Sequence, residues 1–255
     1  PSSWLSRLNQ ELGPDRKILV YPVDEPTPPF ASMHSARDYQ QFREEFLGRN
    51  RDSVMASNII SRLERIRESG AEGKALVIMN YRHAFARNVF NPELEREILN
   101  TGALLKARYP DDTAFIYLNF VPWGGAPRLI HDGKWDAAFK VTGREDMGFD
   151  LGDSPFSRDY FDLWPYSDAR ATYGDYFTGM VFYLPLERHL RATGLDNYID
   201  PEFEEELWKR ISIFCEIEGR SIKREELREM FRYREQRYGN LDRFLADIGK
   251  WLDEQ

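Results

Sequence analysis

His83 stands directly behind Asn80, Tyr81 and Arg82, where the apolar run in KALVIMNYRHAFAR (74–87) stops. A neutral imidazole can take a proton from water near neutral pH, and a guanidinium can stabilise the oxyanion that then develops. Asp24 and Glu25 follow a second apolar run, KILVYPV (17–23). Trp123 and the pair Gly124–Gly125 follow a third, DDTAFIYLNF (111–120), and Asp150 lies within a fourth, MGFDL, with Asp153 and Ser154 behind it. Carboxylates, arginines and a histidine at several such ends could form an acid/base constellation.

Plainer readings apply to the same residues. A histidine at a strand end can anchor a loop, Asp24 ahead of Glu25-Pro26 can fix an Asx turn, and Asp150 can cap SPFSRDYF. His34, His131 and His189 have no partner at metal-ligand spacing and read as surface or packing residues. No readable ligand set names a metal, so a divalent ion and no cofactor at all both stay open. The chain has no GxGxxG, Walker A or HExxH motif, and Ser154 in GDSPF does not sit in a G-x-S-x-G elbow.

These residues need elements to position them. Helical spacing of apolar residues predicts helices over 4–12 and 36–47, and a third from Asn50 or Asp52 through Val54, Met55, Ile59, Leu63 and Ile66. Glycine in ESGAEG ends that helix. Pro92 is expected to open another helix, carrying Leu94, Ile98, Leu104 and Leu105 and broken near Gly102. KILVYPV, ALVIMN, DDTAFIYLNF, MGFDL and GMVFYLP read as strands. Alternation of this kind predicts an α/β fold over residues 1–186, with a mostly parallel sheet covered by helices on both faces. From 187 to 255 the pattern reads as a helical extension, with stripes at Phe203, Leu207, Trp208, Ile211 and Phe214 and at Leu241, Phe244, Leu245, Ile248 and Trp251. It would pack on the first domain or on a partner.

The 255 residues are 42% hydrophobic, enough for a sizeable core, and carry a net charge of −8. That balance, without any basic block, argues against nucleic acid as a partner. No run approaches the roughly 18–20 apolar residues of a spanning helix. Cys215 is the single cysteine, which excludes an intramolecular disulfide. Nothing in the sequence favours a cytoplasmic over a periplasmic location.

Several spaced segments, taken together, resemble the erythromycin-esterase-like family, which is related to the Tiki and haem-uptake (ChaN-like) domains. They are NRDSVMASNI (50–59), LVIMNYRHAFAR (76–87), TGALLKARYPDDTAFIYLNF (101–120) and GKWDAAFKVTGREDMGFDLGDSPF (133–156). LSRLNQELGPDRKILVYPVDEP (5–26) resembles the start of the second half of such proteins. The likeness spans roughly 4–156 and leaves out the tail. It implies an α/β fold with a cleft, and hydrolysis by water that a histidine and a glutamate activate. Carried over by position, His83 matches the catalytic histidine, Arg51 a cleft arginine and Asp24 an acidic strand-end residue. Glu25, Asn80, Tyr81, Arg82 and Asp150 would then line a site for a small-molecule substrate.

The family's esterases read His-Asn-x-His where this chain has Met79-Asn80-Tyr81-Arg82-His83, so an erythromycin substrate is not implied. The family's first-half Gly-Glu-x-x-His motif does not occur in these residues. The expectation is an esterase-like hydrolase that is catalytically incomplete without a further N-terminal segment. The alternative is a domain that keeps the fold to bind a ligand or partner, alone or as a homo-oligomer.

Overall fold

The structure is a computed structural model and describes residues 2–13, 16–24, 30, 32–47, 50–70, 73–91, 96–121, 127–194 and 201–254. Three helices come first: α1 (Ser2–Glu11), α2 (Ala36–Leu47) and α3 (Arg51–Glu68). α3 starts where Asn50 Oδ1 accepts the Ser53 N–H at 3.3 Å, a side-chain N-cap. It buries Asp52, Met55, Ala56 and Ile59 on one face and stops beside Gly70, whose φ of +83° suits glycine.

A 3₁₀ turn at Tyr81–Ala84 leads to the antiparallel hairpin of β1 (Val89–Asn91) and β2 (Arg96–Ile98), and then to α4 (Thr101–Arg108). Next come β3 (Ile116–Leu118), α5 (Lys134–Thr142) and β4 (Met147–Asp150). The short strands β5 (Tyr160–Phe161) and β6 (Asp168–Thr172) pair antiparallel, and α6 (Tyr173–Tyr176) leads into β7 (Gly179–Phe182). In the tail, β8 (Arg191–Thr193) precedes α7 (Pro201–Ile217) and α8 (Arg224–Phe231), followed by β9 (Arg234–Gln236) and α9 (Leu241–Asp253).

The mostly parallel, helix-sandwiched sheet expected from the sequence is not what the chain forms. Among the described residues the largest sheet has three strands, β3-β7-β4, in which β3 runs parallel to β7 and β4 antiparallel. The rest are two-stranded. KILVYPV and KALVIMN form no strand, and Leu76 and Ile78 stand 87% and 86% exposed. An apolar run specifies a strand only when a partner meets its backbone in register, and among the described residues none does so here. Residues 96–98, expected in a helix, pair with β1 instead. The tail, expected to be helical throughout, contributes the β8–β9 ladder.

The core is an aromatic pile. Phe85 meets Phe161 edge-on at 5.4 Å, and Phe161 stacks on Tyr176 at 3.7 Å. Phe85 is fully buried and lies just past the Tyr81–Ala84 turn, so the core pins that turn. α9 lies along α5 through Phe244 and Ile248. α2 and α7 close a smaller cluster where Tyr39 meets Phe214 at 4.9 Å.

Gly102, expected to break a helix, sits inside α4 for a different reason. A β-carbon there would come within 2.4 Å of the Phe85 carbonyl oxygen, so only glycine lets α4 rest on the turn. Gly102→Ala is expected to destabilise the protein by about 1–3 kcal/mol through overpacking. Urea unfolding checks this, and an unchanged midpoint would mean that the contact is not this close.

Candidate functional site

Three chain segments meet at Asp52. α3 supplies the carboxylate from its first turn, where the unpaired N–H groups favour negative charge. The Tyr81–Ala84 turn supplies Arg82 and His83, and α4 supplies Thr101 at its start. Asp52 is only 4% exposed.

Asp52 Oδ1 lies 2.7 Å from His83 Nδ1. It also accepts the Thr101 N–H at 2.8 Å and the Thr101 hydroxyl at 2.9 Å. Oδ2 takes both terminal nitrogens of Arg82, each at 3.2 Å. Arg82 Nη1 further donates to the Leu99 carbonyl at 3.3 Å and to Asn100 Oδ1 at 3.1 Å. Asn100 is fully buried and holds the segment ahead of the hairpin, donating from Nδ2 to the Arg87 carbonyl at 2.7 Å.

An ionised carboxylate can only accept, so the proton in the His83–Asp52 contact belongs to Nδ1. In the neutral ring Nε2 would then carry the lone pair, the tautomer a general base needs. Arg82 Nη2 lies 3.2 Å from Nδ1 and 3.4 Å from Nε2, which places its positive charge beside both ring nitrogens. Tyr166 packs edge-on against Phe85 at 5.9 Å. Burial raises its phenol pKa, Arg82 opposes that rise and Asp52 adds to it, so the ring lies within reach of both charges.

Burial works to raise the Asp52 pKa. The bonds from His83 and Thr101 and the charge of Arg82 outweigh it and hold the carboxyl below its ordinary range. A depressed carboxyl stabilises the fold above its unfolded pKa, about 4, and that contribution fades as pH falls through the lower folded value. Thermal unfolding is therefore expected to show an acid-side loss of Tm below about pH 4 that shrinks in Asp52→Asn. Equal acid sensitivity in both proteins would contradict the assignment.

The residues singled out from the sequence divide. His83 and Arg82 join the cluster. Arg51 does not, because successive helical residues point about 100° apart, and burying Asp52 turns Arg51 outward. Its Nε donates to Asp24 Oδ1 at 2.8 Å and its Nη2 to Oδ2, in a pair that is half exposed at both ends. Asn80 is exposed, and its carbonyl accepts the His83 N–H at 3.0 Å. Tyr81 opens the 3₁₀ turn. Asp150 is exposed at the end of β4, opposite Gly179. Glu25, Trp123, Gly124 and Gly125 lie outside the described residues.

Reading from sequence missed Asp52 as a site residue, and with it Asn100, Thr101 and Tyr166. Asp52 did carry a signal, an acid in the first turn of a capped helix, but that signal reads equally as a cap. Among the described residues, no group of three or more His, Cys, Asp or Glu side chains could hold a metal ion. Among the same residues no helix is long and apolar enough to cross a membrane. Compared with protein-family models, curated proteins and solved structures, the chain matches none.

Proposed function

We propose that the chain is a hydrolase of the esterase-like class, in which His83 is the general base, oriented by Asp52. The observation that carries this reading is the 2.7 Å contact between His83 Nδ1 and Asp52 Oδ1, with that oxygen fixed on its far side by Thr101. A base whose own orientation is set by a buried carboxylate is the arrangement that water activation requires.

In the proposed reaction Nε2 takes a proton from water, and the resulting hydroxide attacks the ester carbonyl carbon. Arg82 stabilises the negative charge that gathers on the carbonyl oxygen. The imidazolium then returns the proton to the departing alcohol as the carbon–oxygen bond breaks, leaving a carboxylic acid and an alcohol. Arg51 and Asp24 have no part in these steps, since they neutralise one another at the surface. The resemblance to the erythromycin-esterase-like family supports the same reading through RDSVMA and the segment that ends in His83.

The test is turnover of a panel of short-chain p-nitrophenyl esters by the protein in its natural length and by His83→Gln. Saturable turnover that the variant loses is expected. Equal turnover by both removes His83 from the chemistry. A second reading, a domain that binds a ligand without transforming it, is favoured by a separate observation: neither of the two cavities described below is lined by His83.

A further inference from the structure

A cleft of about 220 Å³ opens between α5, the 3₁₀ turn Leu186–Arg188 and α9. Phe139, Phe182, Leu186 and Ile248 form apolar walls, and Asp136 and Arg144 are among the charged groups that line it. The other two carboxylates of the lining have cations: Glu187 takes Lys140 at 2.9 Å, and Glu145 takes Arg188. Asp136 has none. Lys140 lies at the i+4 spacing that would suit it, but is turned to Glu187. Arg144 likewise forms no ion pair among the described residues.

Asp136 is half-buried, and burial pushes its carboxyl up to about 7. Its own backbone N–H opposes that rise, and the charge of Glu187 adds to it. Behind it, Tyr117, Arg128 and His189 share with it a smaller cavity of about 20 Å³. His189 lies against the Leu184 carbonyl, 2.8 Å from Nε2, and burial lowers its pKa against the opposing effects of that bond and of Glu187. Tyr117 is uncharged, its phenol raised far above the ordinary range by burial. α9 contributes Ile248 to the lining.

A carboxylate without a cation in a cleft with apolar walls is costly, and a ligand that supplies the cation recovers that cost. We propose that this cleft binds a small organic ammonium ion, whose charge pairs with Asp136 while a short alkyl body lies on Phe139, Phe182 and Ile248. The site is independent of His83 and of the chemistry proposed there.

Isothermal titration with n-butylammonium tests the proposal, with 1-butanol as the neutral control. The ammonium stays protonated from about pH 6 to about pH 8, whereas a carboxyl near 7 goes from about one-tenth to about nine-tenths ionised. Saturable one-site binding is expected, roughly tenfold tighter at about pH 8 than at about pH 6, with no binding of the alcohol. Asp136→Asn is expected to weaken it at least about tenfold and to abolish the pH dependence. Amide shift changes in the wild-type protein should cluster at 136–145 and 182–187, which decides the question even where the variant folds poorly. Binding that does not saturate, shifts elsewhere, or equal binding by a folded Asp136→Asn protein would overturn the proposal.

Discussion

Asp52→Ala is expected to destabilise the protein by about 3–5 kcal/mol, the largest effect of any single substitution considered. Alanine removes the carboxylate that accepts the His83 Nδ1–H and the Thr101 N–H, and takes one partner from the Arg82 guanidinium and from the Thr101 hydroxyl, which keep Leu99, Asn100 and the Asp52 carbonyl. Thr101 is fully buried, so water cannot replace the lost partner there without disturbing the start of α4. Asp52→Asn keeps the shape and one carbonyl acceptor and should lose less, about 2–3 kcal/mol. Denaturant unfolding of the two variants checks the order. A cost near zero for Asp52→Ala would mean that the three segments are held together by something else, and the candidate site would lose its organising residue.

His83→Gln is expected to lower kcat for ester hydrolysis by about 10²–10⁴-fold, with KM little changed. Glutamine can still donate an amide proton toward Asp52, so the clasp between the turn and α3 survives. It has no nitrogen lone pair able to take a proton from water, so the base is lost. Stability should fall by no more than about 1 kcal/mol, the worth of one hydrogen bond exchanged for a weaker one. The combination separates the two functional readings. A clasp without chemistry has no ester turnover to lose, whereas a base loses it, and the small stability change is the same for both.

Much of the helical framework could be read from the sequence. α2 and α3 lie where the apolar spacing puts them, and α9 buries Phe244 and Ile248 from the predicted stripe. The sheet could not be read in the same way. KILVYPV and KALVIMN have the composition of buried strands, but composition carries no information on which backbone will pair with them. GMVFYLP succeeds as β7 because β3 and β4 flank it on both sides.

The site shows the same division. His83 is conspicuous because it ends an apolar run, and Arg82 because it stands next to it. The choice between Arg51 and Asp52 was hidden, since adjacent residues on a helix differ only in the direction they face. That direction is fixed by Thr101, Asn100 and Gly102, about fifty residues further on, through a contact between α3 and α4 that periodicity within either helix does not encode.

The most direct measurement is the tautomer of His83, read from the imidazole nitrogen shifts in a long-range ¹H–¹⁵N spectrum near neutral pH. A proton on Nδ1, held in the bond to Asp52 and lost or weakened in Asp52→Asn, is the predicted result. A proton on Nε2 of the neutral ring, or a spectrum that Asp52→Asn leaves unchanged, would contradict it: the imidazole would then have no free lone pair where water must be activated, or would owe nothing to the buried carboxylate.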